Sequence, residues 1–129
     1  MNEYFKRLLE LKKNAYVPFS HYGVACILDT DKGEFLGVNI EPDVLNLGVC
    51  GERNAIFNAL TNGMRKINHI YLLTDSKDNF GTPCGACRQL LTQFSDENTE
   101  ITFFNLKGEE KDLKLFDLLP SMWSRKDLD

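Results

Sequence analysis

The sequence predicts a single α/β domain in which helices cover the faces of a mixed five-stranded sheet. Short apolar runs of strand length alternate with stretches of helical periodicity, in the order helix, two strands, helix, strand, helix, strand, short strand. The chain has 129 residues, the size of one domain. No repeat, low-complexity tract or long linker divides it, so the domain is expected to run over 1–129.

Each element has its own signal. Over 2–15, Phe5, Leu8, Leu9, the stem of Lys12 and Ala15 fall on one helical stripe, which Pro18 and the segment Phe19-Ser20-His21-Tyr22-Gly23 stop. Val24 to Leu28 and Phe35 to Ile40 read as strands joined by Asp31-Lys32-Gly33, a hairpin signal. A connector over 41–49 ends near Gly48. Cys50 to Asn62 reads as a helix, with Ile56, Ala59 and Leu60 on one face and Gly63 as its C-terminal stop. His69 to Thr74 is a third strand. Cys84 to Phe94 is a third helix with Pro83 at its entry. Glu100 to Phe104 and Lys111 to Lys114 are the last strands, and Leu115 to Leu119 is a helical turn closed by Pro120.

Composition narrows the function. Fifteen Lys+Arg against nineteen Asp+Glu give a net charge of −4, which disfavours a general nucleic-acid binder because such a protein needs a basic face. No apolar run reaches the ~18 residues of a membrane span. The opening Met-Asn-Glu-Tyr-Phe-Lys-Arg carries no apolar export region, so the cytoplasm is the expected compartment. Thiols stay reduced there, and four cysteines read as ligands, nucleophiles or core residues rather than disulfides.

Three of those cysteines sit where helices begin. Cys84 and Cys87 are spaced i, i+3 inside Thr82-Pro83-Cys84-Gly85-Ala86-Cys87-Arg88-Gln89, and Cys50 opens the preceding helix. A helix N-terminus favours the thiolate, the form that binds metal. Three thiolates leave a fourth position for water, the mark of a catalytic zinc rather than a closed structural one. Glu52 is the candidate proton carrier. Cys50 and Glu52 would point about 200° apart within a regular helix, so a shared site must lie off the helix end. Three thiolates also overcharge a divalent ion. Arg53 and Arg88 each adjoin a key position, and at least one is expected to hydrogen-bond to ligand sulfur. An all-cysteine structural site completed by Cys26 is the competing reading, although Cys26 lies on an apolar strand and Glu52 would then have no role. His21 and His69 lack ligand spacing and read as loop or surface residues.

At these residues the chain resembles the small zinc-dependent cytidine deaminases. The resemblance covers most of the chain. It is carried by Ala15-Tyr16-Val17-Pro18-Phe19-Ser20, Gly37-Val38-Asn39-Ile40-Glu41, Cys50-Gly51-Glu52-Arg53-Asn54-Ala55, Pro83-Cys84-Gly85-Ala86-Cys87-Arg88-Gln89 and Leu118-Leu119-Pro120. It implies a three-layer α/β/α sandwich around a five-stranded mixed sheet. It implies one Zn2+ per chain on Cys50, Cys84 and Cys87, with Glu52 as proton shuttle in the hydrolysis of cytidine and deoxycytidine to uridine, deoxyuridine and ammonia. Asn39 and Glu41 would hold a ribose hydroxyl, and the backbone N–H of Gly51 would contact the base. Tyr22 stands where relatives usually carry Phe against the base. Trp123 matches an aromatic that reaches into a neighbouring subunit's site, in a homotetramer with composite active sites. The implied partners are a small nucleoside and further copies of the chain, with no nucleic acid and no membrane, and the implied role is pyrimidine salvage. Two departures stand out. Pro42-Asp43-Val44-Leu45 replaces an Asn-Ala-Ser-Tyr-like stretch, and Gly51 replaces a usual Ala. An enzyme of the same superfamily with another substrate, and a zinc-stapled binding module, are the rival readings.

Overall fold

The computed structural model describes residues 2–128. The two end residues of the expected 1–129 domain, Met1 and Asp129, lie outside the described residues. The elements are α1 (Glu3–Lys12), β1 (Val24–Thr30), β2 (Gly33–Val38), α2 (Gly51–Thr61), β3 (Ile67–Thr74), α3 (Gly85–Gln93), β4 (Glu100–Phe104) and β5 (Glu110–Lys114), with short 3-10 turns at Leu45–Leu47, Leu115–Leu118 and Arg125–Leu128. The sheet order is β2-β1-β3-β4-β5. β3 and β4 pair in parallel, and every other neighbouring pair is antiparallel.

Val24–Leu28 of β1 and Ile70–Leu73 of β3 are unbroken runs of mainly apolar residues because both faces of the sheet are covered there. Cys26 and Leu28 pack on one face with Ile56, Ala59, Ile70, Leu72, Leu91 and Phe103, beneath α2 and α3. Ala25 and Ile27 pack on the other with Phe5, Leu8, Leu73 and Phe104, beneath α1. Two cores on opposite sides of one sheet make the expected three-layer sandwich. Cys26 is fully buried in the first core.

Several predicted ends move for local reasons. The first helix starts after Asn2, whose Oδ1 accepts from the Tyr4 and Phe5 N–H groups, and it ends at Lys12 rather than Ala15. The second strand stops at Val38. Ile40, predicted within it, leaves the hairpin and forms isolated bridges with Tyr16 and Val49. Asp31-Lys32 is a two-residue turn between the paired residues Thr30 and Gly33. His69 is not a loop residue. It lies on β3, half-buried, with its ring stacked on Tyr71 at 4.3 Å and Nε2 hydrogen-bonded to Thr102 Oγ1 at 2.7 Å.

Two crossovers fix where chemistry can occur. β2 and β3 run in the same direction on either side of β1 and are joined through α2, while β3 and β4 are joined through α3. Both helices therefore begin just beyond the carboxyl ends of the strands that feed them, where open α/β sheets place their ligands. Among the described residues, no helix is long and apolar enough to cross a membrane.

Candidate metal centre and substrate cavity

Cys50 and Cys84 are the N-cap residues of α2 and α3. Both are extended, with φ −72°, ψ 153° and φ −65°, ψ 166°. Neither side chain obeys the helical wheel of the helix it precedes. This removes the conflict between Cys50 and Glu52, because the thiol leaves from the cap while Glu52 projects from the first turn. Cys87 sits one turn into α3. Its N–H faces Cys84 Sγ at 3.5 Å, and the two sulfurs are 3.4 Å apart. The sulfurs of Cys50, Cys84 and Cys87 all lie within 4.8 Å of one another. Zinc–sulfur bonds of about 2.3 Å in a tetrahedron require sulfurs about 3.8 Å apart, so the donor set fits one such ion. It has the softness and charge for zinc, and three thiolates this close would repel one another without a cation.

The surrounding charges are sorted by burial. Desolvation raises the Cys87 thiol well above its ordinary value, and Glu52 adds to the effect. Burial opposes ionisation of Cys84 too, but hydrogen bonds from the Cys87 N–H, the Cys87 and Cys50 thiols and the Ala86 N–H together outweigh it, and the net shift is downward. Burial raises the Glu52 carboxyl, against its own backbone N–H and the nearby Arg53. Only 5% of Glu52 is exposed, which suits a group that must carry a proton rather than pair with solvent. Arg53 Nη2 donates to Cys50 Sγ at 3.3 Å. Arg88, the other arginine expected near sulfur, donates instead to the carbonyls of Pro83 (2.7 Å) and Leu118 (2.8 Å) and to Thr82 Oγ1 (3.1 Å). Its planar fork ties the loop that carries Cys84 to the C-terminal segment.

A cavity of about 360 Å³ opens onto this centre. Its lining includes Cys50, Glu52 and Cys84 together with Asn39, Ile40, Glu41 and Leu45. Gly51 also lines it and is buried, and an added Cβ would lie 3.0 Å from Val24 Cγ1. The close approach of Val24 thus accompanies glycine at this position. Asn39 Oδ1 accepts from Val24 N (2.9 Å) and Nδ2 donates to the Tyr22 carbonyl (2.8 Å), leaving one donor hydrogen and one lone pair. Glu41 Oε1 accepts from the N–H groups of Phe19 and Ser20 at 3.2 and 3.0 Å. Ser20, through its side chain and then its backbone N–H, leads the shift of the Glu41 carboxyl below its usual value.

Two expected site residues stand apart from this cavity. Tyr22 turns its hydroxyl to Ser76 Oγ at 2.6 Å. Trp123 is 55% exposed and lines a separate cavity of about 450 Å³ with Gln89, Phe116 and Met122, and its carbonyl accepts from Gln89 Nε2 at 2.9 Å. Thr82 and Leu45 line the cavity at the metal centre but carried no role in the sequence. Thr82 was detectable only from its place beside Pro83-Cys84, and Leu45 only as the residue standing where a hydroxyl is usual.

Comparison with known proteins agrees with this geometry. The family described as "Cytidine and deoxycytidylate deaminase zinc-binding region" matches residues 1–103. The chain is 36% identical over 114 residues to the cytidine deaminase of Mycoplasma genitalium, covering 88% of each chain. It is 35% identical over 127 residues to that of Sporosarcina psychrophila, covering 95% of this chain and 93% of the relative. The crystal structure of cytidine deaminase from Burkholderia pseudomallei superposes with a TM-score of 0.85 at 30% identity, over 95% of this chain and all of that one.

Proposed function

The chain belongs to the cytidine and deoxycytidylate deaminase family, and from that premise we propose how its residues carry out the reaction. It is a zinc-dependent cytidine deaminase with one Zn2+ per chain on Cys50, Cys84 and Cys87. When bound, zinc supplies an activated water as nucleophile near neutral pH.

Glu52 handles the protons. The water's first proton passes to the carboxylate and from there to N3 of cytosine as oxygen adds to C4. The second passes by the same carboxyl to the amine, the C4–N4 bond breaks, and ammonia leaves with uridine as product. Burial of Glu52 in the cavity that Cys50 and Cys84 line, close enough to raise the Cys87 thiol, is the observation that carries this assignment. The raised carboxyl holds a proton between the two transfers instead of losing it to water. Gly51 presents its backbone N–H to the base. Asn39 and Glu41 read the ribose hydroxyl with the hydrogen-bonding capacity their own contacts leave free, and deoxycytidine is accepted on the same terms. A neutral nucleoside also suits a net charge of −4.

The same reading makes the enzyme a cytoplasmic homotetramer in pyrimidine salvage, with Trp123 and Tyr22 completing composite sites. Supporting assembly, Tyr16, Phe19, Ile40, Val44, Leu45 and Leu47 are large apolar side chains left exposed along the segments that flank the cavity. Sedimentation of the purified protein should give four chains per particle, and a monomer at micromolar concentration would refute the composite site. The reaction itself is tested by metal content together with the absorbance decrease on adding cytidine. Glu52→Gln should keep one zinc and the fold and lose at least ~100-fold in kcat. A variant with unimpaired turnover would remove Glu52 from the mechanism.

A further inference from the structure

Asn39 does not hold itself in place. Its amide is fixed by two backbone groups of the segment entering β1, the Tyr22 carbonyl and the Val24 N–H. That segment is in turn held by Asp75, the residue just beyond β3. Asp75 Oδ2 accepts from the Gly23 N–H at 2.6 Å, and the Asp75 N–H donates to the Gly23 carbonyl at 3.1 Å. Oδ1 of the same carboxylate meets Lys12 Nζ at 2.6 Å, with only 19% of the lysine side chain and 25% of the aspartate exposed. The fit around Gly23 is close, since an added Cβ would lie 3.1 Å from Lys12 Cγ and 3.3 Å from Asp75 Oδ2. The neighbouring Ser76 holds Tyr22 through its hydroxyl. The end of α1 and the end of β3 thus grip residues 22–24 from one side, and Asn39 is bonded to the same residues.

We propose that Asp75 is a positioning residue for the sugar end of the cavity, acting through Gly23 and the backbone of residues 22–24 to aim the Asn39 amide. It belongs neither to the three-cysteine cluster nor to the residues that line the cavity, so its influence falls on substrate binding rather than on the chemical step. Nothing in the local sequence around Asp75 marks this role, which exists only because the ends of α1, β2 and β3 meet at one end of the sheet, where β1 begins. The proposal rests on the reading of Asn39 as the residue that contacts the ribose hydroxyl.

A double-mutant cycle tests it, with cytidine and 2′,3′-dideoxycytidine as substrates for Asp75→Ala, Asn39→Ala and the double variant. Each single variant should raise KM for cytidine by about tenfold, with kcat changed by less than about twofold and KM for the dideoxy substrate nearly unchanged. The double variant should be no worse than Asn39→Ala. Asp75→Asn keeps an acceptor for the Gly23 N–H and should recover most of the loss. If Asp75→Ala does not fold, the smaller KM shift of Asp75→Asn must vanish in the Asn39→Ala background. Multiplicative effects, or an Asp75 effect equal on both substrates, would overturn the proposal while leaving Asn39's role intact. An unchanged KM in Asn39→Ala would overturn both.

Discussion

Arg53 donates to the sulfur of Cys50 across 3.3 Å, from a position three residues further along the same chain. Cys50 is the helix cap and Arg53 lies in the first turn, so the guanidinium comes back over the helix end towards the thiolates. The attraction is mutual. The Cys50 hydrogen bond and the charges of Cys50, Cys87 and Cys84 raise the affinity of Arg53 for its proton, against the effect of its partial burial. A three-thiolate site carries one negative charge too many for a divalent ion, and the Arg53 guanidinium stands where it would offset that charge. Arg53→Ala should weaken zinc retention by about 10- to 100-fold, read by competition with a chromogenic chelator. Equal retention in the two proteins would mean that the contact has no part in charge balance.

Cys26 separates the two readings of the metal centre. It is fully buried in the core beneath α2, and its thiol is pushed up chiefly by desolvation. The cluster of three sulfurs does not include it. Cys26→Ala should therefore retain one zinc per chain and near-normal turnover, while losing about 1 kcal/mol of stability to the small cavity left behind. Metal analysis of the purified variant decides the matter, since a zinc-free protein would make Cys26 a ligand.

The sheet, its five strands and both crossover helices were legible because each depends on local periodicity and punctuation. Glu100–Phe104 was read to the residue, and Gly63 marks the end of α2 with φ +91°. The cluster of Cys50, Cys84 and Cys87 was legible for the same reason, since cysteines at helix starts are a local pattern. What the sequence hid was set by tertiary contacts. Ile40 looked like strand until its bridges to Tyr16 and Val49 drew it out of the hairpin. Arg88 looked like a partner for sulfur, but the Leu118 carbonyl, 30 residues away, competes for it. The sequence also could not say that Trp123 and Glu52 line different cavities.

At Gly37 the sheet and α2 touch backbone to backbone. A Cβ at this position would overlap the backbone of α2 at Ala55 N and Gly51 O, neither of which can rotate away. The side chain is absent so that α2 can lie directly on β2 and present Cys50 and Glu52 at its start. Gly37→Ala should cost about 3 kcal/mol or prevent folding, seen as a large drop in denaturation midpoint. Any folded fraction should bind zinc more weakly, because α2 must move away from the sheet. A variant as stable as the parent would show that α2 does not depend on this contact.

His69 gives the fold a pH dependence away from the metal. Burial between β1 and β4 lowers its affinity for a proton, against the pull of Asp112, Glu100 and Asp29, and Thr102 relays its hydrogen bond to Asp112. The unfolded chain protonates this imidazole near its ordinary value of 6.5, before the folded chain does. Stability contributed by the neutral ring is therefore complete above that value. It declines as pH falls from there towards the lower folded-state pKa, and it changes no further below. His69→Gln can still donate to Thr102 but cannot titrate. The denaturation midpoint of the parent relative to this variant should be highest at pH 8 and should fall on moving to pH 5.5. Parallel midpoint curves across that range would show that the buried imidazole is not what couples folding to protons here.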